Sequence, residues 1–529
     1  MKKRVLTLPL VAALFAGVTP LGVPALADDG KLTWDSCPDD ANVTADGAKC
    51  ATLEVPEDYS DPAGTKITIT VSRIEAKDSD HRKGVLFGNP GGPGGDGLNL
   101  WSRKMDKWPK DLVNDYDLIA VQPRGLQLST PLECKDASTS TVALQLRPTD
   151  KDDCNLDKGY MSDITTANTA RDMDEVRKAL GEDTINYLGY SYGTYLGAVY
   201  ASLFPANVNR LVLDSSVGPD WIWHEEFAQQ SLNRRQRIND FFSWAADHDS
   251  DYGLGKTARQ VWQTWSKVAV ATGGMFPIKP PDDKDDNWFT QVRDWWTTLT
   301  VTWDSIFAAS QSADRGKNVL ASATLSATYS RQLWPYLATG LADTNKDAKD
   351  TKQLDALSGA AALSGDANLA VQKTITCGED KKDGTLASLG YLLDYLGKMG
   401  GIFLGLDDAL DLGASGARVG MQCTSNPVYA TVTQESLSGT KLKVKPLVLQ
   451  SKHDGATPYQ GGVAMAKKMG GTLATVEGGD HGVFGRGQSE IDSTVMDYLN
   501  DATLPKAGTV LPEPDITTDL KPAEPYTKK

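Results

Sequence analysis

The sequence predicts an α/β fold: a mostly parallel sheet with helices on both faces, interrupted by a large helical insertion. Three observations point to it. Short apolar runs at Gly84-Val85-Leu86-Phe87, Asp117-Leu118-Ile119-Ala120-Val121 and Leu211-Val212-Leu213 have the unbroken character of strands covered on both faces. Segments of helical period lie between such runs at the spacing of parallel crossovers. Strand-like runs then stop for more than two hundred residues and resume at Lys445-Pro446-Leu447-Val448-Leu449-Gln450, so the core is discontinuous in sequence.

The first 27 residues stand apart. Lys2, Lys3 and Arg4 precede an apolar run from Val5 to about Val18, and Ala25-Leu26-Ala27 supplies the small residues a signal peptidase accepts. Residues 1–27 are therefore expected to be a secretory signal peptide, cut before Asp28. The run is short for a bilayer span of about 20 residues. Removing it takes away three positive charges and no negative one, so an acidic, exported protein is expected.

From Asp28 the elements follow in order. Ile67, Ile69 and Val71 alternate with threonines as in a half-buried strand, and the strands at 85–87 and 117–121 come next. Thr166 to Leu180 reads as a helix stopped by Gly181. A strand Ile185 to Leu188, a tight glycine turn, a helix from about Thr194 to Phe204 and the strand at 211–213 complete a β-turn-α-β unit. These make residues 28–215 the first part of the core. Helical spacing dominates residues 216–428, in Glu225 to His248, Thr257 to Ala271, Asn318 to Leu341 and Leu386 to Leu406. Ten of the 13 tryptophans fall there, from Trp221 to Trp334, either as a core of large side chains or as the lining of a cleft. Residues 429–504 return to the core with strands at 445–450 and Thr472 to Val476 and a helix near Ser489 to Leu499. Residues 505–529, proline-rich and charged, read as a C-terminal tail, extended over the surface or loose.

Composition narrows the function. The chain has 529 residues with 69 acidic against 54 basic ones, a net charge of −15, and no basic block beyond the first residues. Such a surface repels nucleic-acid phosphates and anionic membranes. Cys37, Cys50, Cys134, Cys154, Cys377 and Cys423 have neither C-x-x-C spacing nor a nearby histidine, which argues against zinc. Disulfides are expected instead, and loop closure favours neighbours in sequence: 37 with 50, 134 with 154 and 377 with 423. No metal or cofactor is expected.

The chemistry centres on Gly189-Tyr190-Ser191-Tyr192-Gly193, a G-x-S-x-G placed between a buried strand and a helix. At such a sharp turn the serine is strained and its hydroxyl stands above the sheet, while the flanking glycines avoid side-chain clashes. A serine hydroxyl needs a base within reach and a carboxylate to fix the base's tautomer. His481, in Gly478-Gly479-Asp480-His481-Gly482 after the last strand, is the expected base, with His453 read as a solvated loop residue. Asp454, in Asp454-Gly455-Ala456-Thr457-Pro458, is the expected acid, with Asp480 its rival. The chain order Ser, Asp, His is that of α/β-hydrolases. An oxyanion hole needs two N–H groups. Tyr192 offers one, and Asn89-Pro90-Gly91-Gly92-Pro93-Gly94-Gly95 offers another from Gly91 or Gly92.

These motifs, with Gln122-Pro123-Arg124-Gly125, resemble those of the secreted bacterial tripeptidyl aminopeptidases, relatives of proline iminopeptidases, over nearly the whole mature chain. The resemblance implies an α/β-hydrolase core under a helical cap and a serine exopeptidase that releases short peptides from free N-termini. Two positions depart from the pattern: Pro90 stands where proline iminopeptidases commonly carry His, and Gln122 where Asp is usual. Binding a substrate ammonium requires an acidic group, for which Glu225 with Glu226, or Glu379 with Asp380 beside Cys377, are the candidates. The expected partners are peptides or proteins with free N-termini, acted on outside the cell by a monomer. A secreted esterase with the same triad and a non-catalytic binding protein on the same fold are the alternatives.

Overall fold

The computed structural model describes residues 32–132, 134–135, 153–154, 158–272, 280–281, parts of 288–300, 319–360, 366–380, 423 and 431–527. Its centre is a ten-stranded sheet in the order β1-β2-β3-β5-β4-β8-β9-β10-β11-β12. The strands are β1 (Asp35–Ser36), β2 (Lys49–Pro56), β3 (Lys66–Ile74), β4 (Val85–Asn89), β5 (Asp117–Val121), β8 (Ile185–Tyr190), β9 (Val208–Asp214), β10 (Leu447–Ser451), β11 (Thr472–Val476) and β12 (Val510–Leu511). A separate two-stranded ladder joins β6 (Cys134–Lys135) to β7 (Asp153–Cys154). β1, β2 and β3 form an antiparallel flank joined to β5, and from β5 to β12 every pairing is parallel.

The apolar runs are buried on both faces with the period of two that a strand imposes. Val85 and Phe87 of β4 and Ile119 and Val121 of β5 belong to the apolar layer on one face. Leu86, Leu118 and Ala120 belong to the layer on the other. Full burial of each such side chain is worth about 1.5–3 kcal/mol, so a one-residue slip in register would exchange the two layers and is strongly disfavoured. Between β9 and β10 the described residues hold helices and no strand of the sheet. A third apolar cluster gathers there around Phe241, Phe242, Trp262, Trp265, Trp334 and Leu337.

The helix Thr166–Ala179 begins where Thr165 accepts the Asn168 N–H at 3.1 Å, a side-chain cap. The helices His224–Asp247 and Ala258–Ala271 follow the predicted periodicity. The stretch predicted as one helix over 318–341 is two, Val319–Tyr329 and Trp334–Lys346. Ser330 caps the intervening turn through the Gln332 N–H, and Pro335 suits the first turn of the second helix. The predicted helix over 386–406 lies outside the described residues.

Several elements escaped the pattern, the helix Asp366–Gly378 among them. β2 was not anticipated, and Gly461-Gly462 obscured the helix Tyr459–Met469. A Cβ at Gly462 would stand 2.5 Å from the Gln450 side chain, so the glycine there serves close packing of helix on strand. The C-terminal segment is laid over the surface: β12 adds to the sheet edge, Tyr252 Oη donates to the Leu520 carbonyl, and the Tyr526 ring packs on Tyr336 with centroids 5.5 Å apart. Disulfides join Cys37 to Cys50 and Cys377 to Cys423. Cys134 sits directly opposite Cys154 in the β6–β7 ladder.

Candidate active site

The turn that carries Ser191 forms where β8 ends. Ser191 has φ 56° and ψ −126°, a conformation that costs a non-glycine residue of order 1–3 kcal/mol and persists only where its surroundings hold it. Its surroundings do. The Ser191 N–H donates to the Asp214 carbonyl at 3.1 Å, and the helix Tyr192–Leu203 starts at the next residue. A Cβ at Gly189 would lie 2.2 Å from the Gly193 carbonyl oxygen, and one at Gly193 2.7 Å from the Asn89 carbonyl oxygen. Both glycines of the motif are therefore required by close backbone approach.

His481 and Asp454 meet at the same end of the sheet. The His481 Nδ1 is 3.0 Å from both Asp454 Oδ1 and Oδ2. Asp454 is fully buried, and its Oδ1 also accepts the N–H groups of Ala456 (2.8 Å) and Thr457 (2.9 Å). Thr457 Oγ1 donates to Oδ2 at 3.0 Å. Burial pushes this carboxyl up, but the His481 ring and the backbone N–H groups outweigh it and hold Asp454 below the usual carboxylate range. An ionised Asp454 keeps the proton on Nδ1, which leaves Nε2 free to act as a base.

Asp480 is also fully buried, but its oxygens are engaged elsewhere. They accept Arg237 Nη2 at 2.6 Å, the Arg331 N–H at 2.7 Å and Ser330 Oγ at 3.3 Å. His453 bonds Asp240 at 2.8 Å through Nδ1. Two further residues carry the histidine loop, and nothing in the sequence singled them out. The Asp214 carboxylate accepts the N–H groups of Val483 (2.9 Å) and Phe484 (2.8 Å), and Ser215 Oγ accepts that of Gly482 at 2.7 Å.

The glycine loop after β4 lies against the nucleophile turn. A Cβ on Gly91 would meet the Tyr190 carbonyl oxygen at 2.6 Å, Ser191 Cβ at 2.8 Å and Tyr192 N at 3.2 Å. The Gly91 N–H already donates to Asn89 Oδ1 at 2.9 Å. Among the described hydrogen bonds the Gly92 N–H has no acceptor, and the Tyr192 N–H opens a helix, where no intrahelical acceptor exists. Asn368, on the helix Asp366–Gly378, donates from Nδ2 to the Gly94 carbonyl at 2.7 Å.

The four carboxylates differ in their availability. Glu379 accepts the Thr166 N–H at 2.6 Å and Thr166 Oγ1 at 2.9 Å, together with Trp223 Nε1 at 3.3 Å. Burial pushes its carboxyl up to about 7. Asp380 accepts the Trp223 N–H at 3.1 Å. Glu226 is buried, with Oε2 accepting the Gly218 N–H at 3.0 Å and Oε1 unpartnered. Burial pushes it up to about 8, and the charge of Asp454 adds to the effect. Glu225 is half-buried and accepts Gln229 Nε2 at 2.9 Å. Among the described residues no cluster of His, Cys, Asp and Glu forms a metal site, and no helix is long and apolar enough to cross a membrane.

A parallel sheet presenting a strained serine, with an Asp–His pair on later strand ends, defines an α/β-hydrolase of the serine type. Comparison with known proteins agrees. A family model described as "alpha/beta hydrolase fold" matches residues 85–268, and one described as "TAP-like protein" matches residues 409–511. The tripeptidyl aminopeptidase of Streptomyces lividans is 30% identical, over 88% of this chain and 84% of that protein. The chain belongs to the tripeptidyl aminopeptidase family and is a serine hydrolase. Serine protease Hip1 of Mycobacterium tuberculosis is 28% identical, over 87% of each chain. A carboxylesterase B of the same organism is 30% identical, over 93% of this chain and 91% of its own.

Proposed function

We propose that the protein is a secreted exopeptidase that releases short peptides, tripeptides foremost, from free N-termini through an acyl-enzyme on Ser191. The observation that carries this reading is the bond from His481 Nδ1 to a buried, ionised Asp454, at the strand ends where Ser191 turns. His481 Nε2 takes the proton of Ser191 Oγ as the oxygen attacks the scissile carbonyl. The N–H groups of Gly92 and Tyr192 receive the developing oxyanion, Gly92 being preferred to Gly91 because the latter's N–H is already bonded. The imidazolium gives its proton to the leaving amine. Water, activated by the same histidine, then hydrolyses the acyl-enzyme.

The substrate ammonium falls to Glu225 and Glu226: Glu379 and Asp380 hold Thr166 and Trp223, whereas Glu226 Oε1 is unpartnered, and an arriving ammonium would draw Glu226 into its ionised form despite its burial. An extended peptide advances about 3.3 Å per residue, so a three-residue product needs an anchor roughly 10 Å from the scissile carbon. Residues 216–428, helical where they are described, act as the cap that carries this anchor. Peptide p-nitroanilides with free and blocked N-termini, assayed beside short p-nitrophenyl esters, test the reading. A free-amine preference of more than about tenfold supports it, and equal rates on blocked peptides overturn it. The carboxylesterase-named relative keeps one alternative open, an esterase with the same triad. Fast ester cleavage without peptidase activity would identify it.

A further inference from the structure

Glu513 lies more than thirty residues beyond His481, in the segment whose sequence reads as a tail, yet its carboxylate is built into the turn that carries the histidine. Oε1 accepts the Gly479 N–H at 3.1 Å and Arg237 Nη2 at 3.0 Å, and Oε2 accepts Arg331 Nη1 at 2.7 Å. A Cβ at Gly478 would overlap the Glu513 carboxyl carbon at 1.9 Å, so this carboxyl occupies a notch that only a glycine leaves open. The same Arg237 Nη2 holds Asp480, the residue before His481. Its guanidinium lies 4.5 Å from the Trp334 ring centroid. Arg331 binds Asp480 through its backbone, and the preceding Tyr329 accepts the His481 N–H at 2.9 Å. Arg486 Nη2 donates to the His481 carbonyl at 2.6 Å and Nη1 donates to Ser330 Oγ at 2.6 Å.

We propose that Glu513 is a positioning residue for His481, and that the C-terminal segment is a clasp which sets the base rather than a surface trailer. Three arginines, Arg237, Arg331 and Arg486, converge on this loop around the carboxylates of Asp480 and Glu513. Without Glu513 the Gly479 N–H loses its acceptor, Arg237 and Arg331 lose their shared anion, and Asp480 is drawn toward whichever cation remains nearest. The histidine loop is then held from the sheet side by Asp214 and Ser215 but released on the helical side. Small displacements of a catalytic group are expensive in rate: about 1 Å can cost about a hundredfold.

This inference rests on the reading of His481 as base, and the experiment separates the two. Glu513→Ala and Glu513→Gln are measured in the full chain on a free-amine tripeptide p-nitroanilide and on a p-nitrophenyl ester. Lys521→Ala, which removes a contact of the same segment to Asp251 at 3.7 Å, is the control. Expected is a fall in kcat of about 30-fold for Glu513→Ala with KM within twofold. Glu513→Gln, which keeps the acceptor for Gly479 but loses the charge, should fall between. Fluorophosphonate labelling of Ser191 should slow in the same order, while Lys521→Ala stays at the parental rate. Wild-type kcat in both Glu513 variants, or an equal loss in Lys521→Ala, overturns the proposal. Should Glu513→Ala fail to fold, the kcat and KM of Glu513→Gln decide. Full activity in His481→Ala would instead overturn the base itself, whatever Glu513 does.

Discussion

Ser191 and His481 sit at the same end of one sheet but are held in opposite ways. The proposed nucleophile is fixed by near neighbours: the strand Ile185–Tyr190, the helix Tyr192–Leu203 and two glycines at which a Cβ would come within 3 Å of a backbone oxygen. The proposed base is fixed mainly by residues distant in sequence, namely Asp454, Asp214, Ser215 and Tyr329, together with the nearby Arg486. The contrast teaches that a local motif is enough to present a nucleophile, whereas activating it takes most of the chain. The two halves of the site should therefore fail differently.

The largest expected effect is loss of the nucleophile. Ser191→Ala should lower kcat by about five orders of magnitude and abolish fluorophosphonate labelling, with the melting temperature little changed because alanine keeps the Cβ and therefore the same backbone strain. Persistent labelling would move the nucleophile elsewhere. Asp454→Asn should cost about 10⁴ in kcat, because an amide favours the wrong imidazole tautomer. A near-normal Asp454→Asn enzyme would leave the acid unassigned.

Gly91→Ala tests the oxyanion side. The added Cβ meets Tyr190, Ser191 and Tyr192 at a backbone φ of 100°, so kcat should fall by about 10² with a smaller change in KM. Full activity would show that the loop yields without disturbing the hole. Removing the Cys37–Cys50 disulfide, which spans 13 residues on the antiparallel flank, should cost about 3 kcal/mol of stability and leave kcat unchanged. Peptide mapping under non-reducing conditions should also recover Cys134 linked to Cys154, and free thiols there would contradict the expectation from their register.

The remaining effect concerns pH. Burial raises the Glu226 carboxyl from 4.5 to about 8, so the folded state binds a proton more tightly than the unfolded chain. Its contribution is fully present below pH 4.5 and is lost as pH rises through about 8. Glu226→Gln should flatten that part of the stability profile while raising KM for free-amine peptides. An unchanged slope in urea titrations at pH 5 and pH 8.5 would count against a buried neutral Glu226.

The same contrast explains what was legible. The strands at β4, β5, β8, β9, β10 and β11 were readable because burial on both faces leaves a continuous apolar signature. Ser191 was readable because its constraint is written within five residues. Chain order fits Asp480 as well as Asp454, and the preference for Asp454 rests on the tendency of adjacent side chains, here Asp480 and His481, to diverge. The further reason, the engagement of Asp480 by Arg237 and Arg331, lies in contacts between residues more than a hundred positions apart. Asp214 looked like any carboxylate at a strand end. Glu513 stood among prolines and charges that resemble a solvated tail until β12 fixes where they run. Likewise, in the sequence only their place at the start of a helix near Trp221 and Trp223 favours Glu225 and Glu226 over Glu379 and Asp380, and the donors that separate the four belong to the fold.

Asp214 has a final consequence. Its carbonyl takes the Ser191 N–H while its carboxylate takes two N–H groups just beyond His481, so a single residue of β9 tethers both reacting groups. The turn that carries Ser191 and the loop that carries His481 thus share one anchor at the end of β9, and heating that frees one should free the other. Loss of turnover should coincide with loss of the near-ultraviolet signal of the core, with no temperature interval in which the protein is folded yet inert.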